Sequence, residues 1–461
     1  MSGIINATDR PDYPGGVRVG RPCSRMGYKA RRHNRSPRRP SVWAIKPGSI
    51  STTAAHAAPP TKNLLEDTTM NQKRFIGLDV HKNSITAVFL SQDGTLLARR
   101  RFSTSSLPQF AASLSQSDSV ALEATSGAYA VASILKKHTP HVHLSHPAMT
   151  RLAATNRLKS DKIDAKILAD LLRTNYLPEV WMPDEKTQLL RRRLAHRASL
   201  IKMRTQTKNR IHSILRRNLI NHRFSDLFGR AGLAFLKDVQ LPEDERWQLD
   251  RELELLETLN HQIEAADKEI AKLVWSDERV RLLMTIPGID YVTASAVVAA
   301  IGDAKRFTSG KKVASYFGLC PSLYESGERS YKGRITKHGR RQVRWLLVQA
   351  AWVAVRRAGP LRAFYRRVSA RRGKQVAIVG VARKLAVLCW RMLMSGEACR
   401  WMREVSVEEK EARLRIKATG RRLRRGERRV LRGERDERRR RDERVALMQE
   451  RRYEAFISQK T

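Results

Sequence analysis

The stretch Phe75-Ile-Gly-Leu-Asp-Val80-His-Lys82 decides how the chain is interpreted, because it is an apolar run that carries one carboxylate and then turns polar. The run predicts a buried strand over Phe75–Val80. A buried charge without a partner costs much free energy, so Asp79 needs a reason to stand in that strand. The position of Asp79 therefore indicates a function for its carboxylate.

Three more carboxylates follow at comparable positions. Glu123 ends the apolar run Ser119-Val-Ala-Leu-Glu123, and Asp161 and Asp164 lie three residues apart in a predicted helix. Each has an ordinary explanation, such as a turn, an ion pair or a helix cap. Together they follow the order that a magnesium-dependent nuclease needs, since hard cations prefer oxygen ligands and can clamp both reacting oxygens of a phosphodiester.

The composition favours the same substrate. The formal net charge is +45 and the isoelectric point is near 11.1, so the chain should attract polyanions and release them at high salt. It has no apolar run of about 18 residues and no signal core, so we expect a soluble, cytoplasmic protein without membrane contact. The scattered cysteines exclude a paired zinc site and a disulfide framework; they are Cys23, Cys320, Cys389 and Cys399.

Residues 70–180 alternate strand and helix signals. Three strands with a turn at Gln92–Gly94 are followed by strands that helices separate, which is the order of a ribonuclease-H-like, RuvC-type α/β domain. The predicted strands are Phe75–Val80, Ser84–Leu90, Thr95–Phe102, Val120–Ala124 and Val142–Ser145. The predicted helices are Leu107–Leu114, Ala128–His138 and Asp161–Arg173, the last with Ile163, Ile167, Leu168, Leu171 and Leu172 facing inward.

The remaining chain divides by composition. Residues 1–69 have no apolar periodicity and are predicted to be a disordered basic extension. Met70 is the expected true start, and the alternative is a genuine basic tail that contacts nucleic acid. Residues 185–275 predict a helical coiled coil or hairpin that favours partner packing. Residues 279–396 predict a second, mainly helical unit. Residues 400–461 form an Arg/Glu-rich tail, for which a solvated helix face or a nucleic-acid contact are both open.

The second unit begins with a candidate nucleic-acid contact. Pro287 and Gly288 predict the turn of a helix-hairpin-helix, whose next helix would offer amide groups to a phosphate. An ordinary helical turn is the alternative. Two basic amphipathic helices follow near Arg340–Arg357 and Gln375–Met394.

These motifs resemble one known family over roughly residues 74–396, the DEDD transposases of the insertion-sequence 110 family, to which the Piv DNA invertase is related. The acidic part of the resemblance consists of Gly77-Leu-Asp-Val-His-Lys82, Glu123-Ala-Thr-Ser-Gly-Ala-Tyr129 and Ser160-Asp-Lys-Ile-Asp-Ala-Lys166. The second part consists of Ile286-Pro-Gly288, Ser315-Tyr-Phe-Gly-Leu-Cys-Pro321, Glu325-Ser-Gly327 and Gly333-Arg-Ile-Thr-Lys-His-Gly-Arg-Arg341.

The resemblance implies a RuvC-like nuclease domain joined through a coiled coil to a transposase domain. It implies that magnesium is bound by Asp79, Glu123, Asp161 and Asp164. It also implies that Ser326 attacks DNA to form a covalent phosphoserine, with Gly327 allowing close approach of the backbone to the phosphate. Family members act on donor and target DNA and use a structured non-coding RNA, and we expect a dimer or tetramer.

For phosphate contact the leading candidates are Arg334, Lys337, Arg340 and Arg341. Two positions depart from the family pattern: His81 replaces a common Ser and Ser126 replaces a common Gly, and neither departure is expected to matter. Two alternatives stay open beside a recombinase. One is a hydrolytic or junction-resolving nuclease in which Ser326 takes no part, and the other is a non-catalytic nucleic-acid scaffold.

Overall fold

The computed structural model describes residues 73–153, 160–327, 329–420 and 425–459. The predictions for residues 1–69, including Met70 as the start, lie outside the described residues. Within the described ranges the chain is a mixed α/β sheet unit followed by a mostly helical region, as the sequence predicts. No helix among the described residues is both long and apolar enough to cross a membrane.

A five-stranded sheet forms the N-terminal part. Its strands are β1 Phe75–Val80, β2 Ser84–Leu90, β3 Leu96–Ser103, β4 Ser119–Glu123 and β5 Val142–Ser145. They lie in the order β3-β2-β1-β4-β5, with β1–β2 and β2–β3 antiparallel and β1–β4 and β4–β5 parallel. The predicted bounds of β1, β2 and β5 are confirmed, whereas β3 and β4 are each displaced by one residue.

Four helices accompany the sheet: α1 Leu107–Ala112, α2 Ala128–Leu135, α3 Pro147–Ala153 and α4 Asp161–Arg173. The predicted bounds of α4 are confirmed, and α1 and α2 end earlier than expected. Of the five residues predicted to face inward from α4, Leu168 is buried and the others are half-buried, while Ala165 and Ala169 are also buried. These small residues let α4 lie close to the sheet.

Two long helices form an antiparallel pair after the sheet. They are α5 Glu185–Arg217 and α7 Glu243–Val274, with the short α6 Arg230–Asp238 between them. Ion pairs at both ends fix the pairing, because Arg197 contacts Asp267 and Arg217 contacts Glu245 at 2.7 Å. The two helices therefore run antiparallel to each other, an arrangement that both a helical hairpin and a coiled coil allow.

Most of the remaining helices contribute to a second apolar core around α9, in which every residue is buried. Their bounds are α8 Glu278–Met284, α9 Tyr291–Ile301, α10 Gly310–Tyr316, α11 Arg341–Ala354, α12 Pro360–Arg372, α13 Lys374–Ser395, α14 Glu404–Thr419 and α15 Arg425–Ser458. A separate two-stranded antiparallel hairpin, β6 Pro321–Ser326 and β7 Arg329–Ile335, lies between α10 and α11 in the chain.

The charged tail packs onto this core through its own side chains. Glu450 of α15 is 4% exposed, accepts a hydrogen bond from the Gly359 amide at 3.1 Å and pairs with Arg362 at 2.7 Å. Lys410 of α14 is buried and donates to the carbonyls of Met284 and Ile286 at 2.6 and 2.8 Å. A fully solvated helix face is therefore the wrong description of this part of the tail.

Candidate active site

The carboxylates predicted from the strands lie at one edge of the sheet. Leu78 of β1 is paired with Leu122 of the parallel β4, so the residues that follow them, Asp79 and Glu123, stand at the same level. Parallel strands present their carboxyl ends at a common edge. Both side chains are half-buried, with the Asp79 side chain 19% exposed.

Helix α4 brings the other two carboxylates to that edge. Ser160 caps the helix by accepting from the Ile163 amide, which places Asp161 and Asp164 in the first turn. The helix crosses β1 at Gly77, where an added Cβ would lie 1.9 Å from the Ala165 carbonyl oxygen and 2.7 Å from the Ala169 nitrogen. Only glycine allows this approach, so Gly77 sets the distance between α4 and Asp79.

A histidine joins the carboxylates. His81 Nε2 lies 3.1 Å from Asp79 Oδ2 and 3.3 Å from Asp161 Oδ1. One ligand atom from each of these three residues lies within 4.8 Å of the others, a spacing that could hold a cation. The sequence treats His81 as a harmless replacement. The sequence feature that could have identified His81 as part of the site is its position two residues after the strand carboxylate Asp79.

Negative charge is concentrated at this edge. Burial raises the pKa of Asp79, His81 opposes that rise, and the charges of Asp161 and Asp164 add to it. Arg101 Nη2 approaches Asp161 at 3.9 Å from β3. Carboxylates that repel one another while partly shielded from water are suited to a hard divalent cation, which would relieve the repulsion. The donor set therefore fits a divalent metal.

Ser326 occupies a different element. It ends β6, is exposed, and is followed by Gly327, whose φ of 57° turns the chain with open space around its α-carbon. Within the residues that the structure describes, no hydrogen bond or ion pair joins Ser326 to Asp79, Asp161 or Asp164. The structure thus brings Asp79 and Asp161 together, with Asp164 near enough for its charge to act on Asp79 and Glu123 at the end of the neighbouring strand. The predicted nucleophile lies on a solvent-exposed hairpin.

The basic candidates divide into exposed and structural side chains. Arg334, Lys337 and Arg341 are exposed. Arg340 is half-buried and donates from Nε to the Tyr316 hydroxyl at 3.1 Å. Burial would raise the pKa of Tyr316, but Arg340 and Arg306 outweigh it and the pKa falls. Arg340 therefore helps to fix the fold of this region.

Gly288 lies against α11. With φ at 87°, its backbone is so close that an added Cβ would be 2.3 Å from the Ala350 carbonyl oxygen. At the start of α9 the side chain of Asp290 accepts a hydrogen bond from the Thr293 amide at 2.9 Å. One of the amides expected to face a phosphate is thus already satisfied within the protein.

Two family models match this chain. Residues 76–219 match a DEDD transposase model of IS110, described as a transposase. Residues 280–366 match the model of the Transposase IS116/IS110/IS902 family. The first match contains all four predicted carboxylates and the second contains Ser326. A DEDD transposase domain implies a divalent metal, in agreement with the donor set at the sheet edge.

Curated relatives are similar over most of their own length. The transposase for insertion sequence element IS1328 of Yersinia enterocolitica is 29% identical over 335 residues, covering 70% of this chain and 97% of the relative. The transposase for insertion sequence element IS1111A of Coxiella burnetii is 24% identical, covering 72% and 92%. The pilin gene-inverting protein of Moraxella bovis is 26% identical, covering 70% and 96%.

Proposed function

This chain belongs to the DEDD transposases of the insertion-sequence 110 family, and from that premise we propose that it cuts and rejoins DNA strands of a mobile element with magnesium and a serine nucleophile. The observation that carries the proposal is the meeting of Asp79 and Asp161 at one edge of the sheet, with Asp164 close enough to raise the pKa of Asp79. Gly77 holds the helix that supplies both helix acids.

The four carboxylates have distinct tasks in this proposal. Asp79, Glu123, Asp161 and Asp164 would hold magnesium, which when bound supplies positive charge beside the reacting phosphodiester oxygens. His81 orients the Asp79 and Asp161 side chains through its Nε2 contacts. The strand order β3-β2-β1-β4-β5, with three antiparallel strands followed by parallel ones, supports a ribonuclease-H-like, RuvC-type assignment of residues 70–180.

Ser326 would carry the covalent step. Its Oγ forms a bond to phosphorus, one bridging phosphorus–oxygen bond of the DNA breaks, and the hydroxyl proton passes to the leaving oxygen. Gly327 keeps the backbone beside the hydroxyl free of a side chain that would hinder the phosphate. The exposed hairpin position supports this role, because a nucleophile must reach a bulky duplex or strand.

The other parts of the chain would serve assembly and binding. We assign 185–275 to a helical coiled-coil region and 279–396 to the transposase domain. The pair α5–α7 leaves Met203, Trp247 and Leu255 exposed, which supports a homo-oligomer through this pair. The net charge of +45 supports binding of donor and target DNA and of a structured non-coding RNA.

An excision assay with two variants on the full chain tests the metal site. Asp79→Ala should abolish excision while folding and nucleic-acid binding persist, because it removes a ligand and also relieves repulsion. Asp170→Ala is the matched control on α4, since Asp170 pairs with Arg173 at 3.4 Å and does not belong to the metal-spaced group. Full excision by Asp79→Ala would refute the site.

One observation favours a second candidate, a hydrolytic or junction-resolving nuclease without a covalent intermediate. Across the described ranges, Ser326 makes no hydrogen bond to Asp79, Asp161 or Asp164. A hydrolytic enzyme needs no such contact, because water is its nucleophile. The two candidates differ in whether protein becomes attached to DNA. A non-catalytic scaffold is disfavoured because all four acids are present in the sequence, and Asp79 and Asp161 lie at a spacing that could hold a cation.

A further inference from the structure

The hairpin β6–β7 presents one continuous face around Ser326. Tyr324 is paired with Tyr331 and Ser326 with Arg329 across the two strands. Directly opposed residues point to the same side of a sheet, and so do alternate residues along one strand. These four side chains therefore share one face, and the tyrosine pair lies two residues along the strands from the pair of Ser326 and Arg329.

The opposite face has a different character. Glu325 is paired with Ser330, and the Ser330 hydroxyl donates to the Glu325 carboxylate at 3.3 Å. One face of the hairpin thus carries a polar contact within the protein, and the other carries aromatic and cationic side chains. Of the two exposed faces, the Ser326 face is the one that carries aromatic and cationic groups, which suit a nucleic-acid ligand.

The two tyrosines are strongly exposed. The exposed fraction is 77% for Tyr324 and 65% for Tyr331. Among the ring contacts of the described residues, neither tyrosine packs against another aromatic ring. Two neighbouring aromatic rings left in water on a short hairpin have large apolar area available for stacking on a partner.

We propose that this face binds an unpaired DNA strand, with Tyr324 and Tyr331 stacking on bases next to the phosphate that Ser326 attacks and Arg329 contacting the backbone. Aromatic rings stack on any exposed base, but bases inside a duplex are already stacked on one another. Arg329, together with the exposed Arg334 on the same strand, supplies the positive charge that a phosphate chain requires. An unpaired strand is therefore the occupant that fits both the rings and the charge.

The choice of the scissile strand rests on the proposed function, in which Ser326 is the nucleophile. Stacking itself requires no cleavage and can be measured by binding alone. A failure of the stacking proposal can therefore be distinguished from a failure of the proposed serine chemistry.

The test uses the full chain and a single-stranded oligodeoxynucleotide that contains 2-aminopurine, whose fluorescence is quenched on stacking. Tyr324→Ala and Tyr331→Ala should each weaken binding by at least about 5-fold, the lower end of the effect of removing one base-stacking ring, and should reduce the quenching. Tyr324→Phe should bind as the wild type does, because the ring is retained. Tyr176→Ala removes an equally exposed tyrosine, 79% exposed, from another part of the chain and should change nothing.

Two further arms use other nucleic acids. Duplex DNA should bind Tyr324→Ala and the wild type equally well. Unchanged single-strand affinity in both alanine variants, equal losses for Tyr324→Ala and Tyr324→Phe, or a loss seen only with single-stranded RNA would each overturn the proposal. Tyrosine-dependent binding that persists in Ser326→Ala supports the stacking face, whether or not a covalent adduct forms in the wild type.

Discussion

Replacing Gly77 by alanine should separate the two halves of the acidic site. The new Cβ would meet the Ala165 carbonyl oxygen at 1.9 Å and the Ala169 nitrogen at 2.7 Å, and both atoms belong to the backbone of α4. No side chain can rotate away, so the helix itself must move. Since real Cβ atoms keep at least 3.0 Å from such neighbours, the displacement is at least about 1.1 Å.

The size of the effect follows from that displacement. Overpacking of this kind costs about 1–3 kcal/mol of the free energy of unfolding, which leaves the protein folded. Activity should fall as well, because α4 carries Asp161 and Asp164 while Asp79 and Glu123 stay on the sheet. A misplacement of about 1 Å can reduce a rate about 100-fold.

Three measurements on the purified full chain check this prediction: urea unfolding, magnesium affinity by calorimetry, and the rate of DNA strand cleavage. Gly127→Ala is the control, because its φ is −91° and an added Cβ there meets nothing within 4 Å. The control should be destabilised by less than about 1 kcal/mol and keep its activity. Wild-type magnesium affinity and cleavage in Gly77→Ala would show that the helix acids do not act with Asp79.

Three other changes test the charged parts of the chain. Burial lowers the pKa of Lys410 to about 8. Between about pH 8 and 10.5 the unfolded chain therefore binds more protons than the folded one, so stability rises with pH. Unfolding measured against pH should show the wild type gaining up to about 3 kcal/mol relative to Lys410→Met. Below pH 8 that difference should be constant, and a flat difference throughout would contradict the burial. A second variant replaces three exposed residues by alanine, Arg334, Lys337 and Arg341, and keeps Arg340 because it contacts Tyr316. A plot of log affinity for duplex DNA against log salt concentration should become less steep, by about 0.9 for each phosphate that is no longer neutralised. An unchanged slope would remove these residues from the interface. Glu450→Gln should destabilise the tail by about 1–3 kcal/mol, because Arg362 would lose its buried carboxylate partner. Limited proteolysis should then cut the region beyond residue 400 faster than in the wild type. An unchanged digestion pattern would argue against that ion pair.

The sequence predicted the parts of the site that depend on local pattern. The apolar run with one acid places Asp79 near the end of β1, and the 3.6-residue periodicity of the helix places Asp161 and Asp164 at the start of α4. Contacts between segments that are far apart in the chain could not be predicted from the sequence. His81 reads as a polar residue after a strand, and only the folded chain brings Asp161, eighty positions later, to its Nε2.

The hairpin and the tail were missed for physical reasons. Strands β6 and β7 are short and largely exposed, so they lack the apolar alternation that marks a half-buried strand. Lys410 lies in a run of charges that indicates solvent exposure, yet the carbonyls of Met284 and Ile286 bind its ammonium in the interior. Such burial depends on two carbonyl acceptors supplied by a segment more than a hundred residues away.

The most direct test of the proposed chemistry is to map a covalent link between protein and DNA. A suicide substrate that cannot be rejoined should trap an adduct on the wild-type chain, and mass spectrometry of its peptides should place the nucleotide on Ser326. Ser326→Ala should give no adduct, while Ser322→Ala and Ser330→Ala on the same hairpin should still give one. Metal-dependent cleavage at the wild-type rate by Ser326→Ala, with no adduct in either protein, would contradict a serine nucleophile and identify a hydrolytic nuclease.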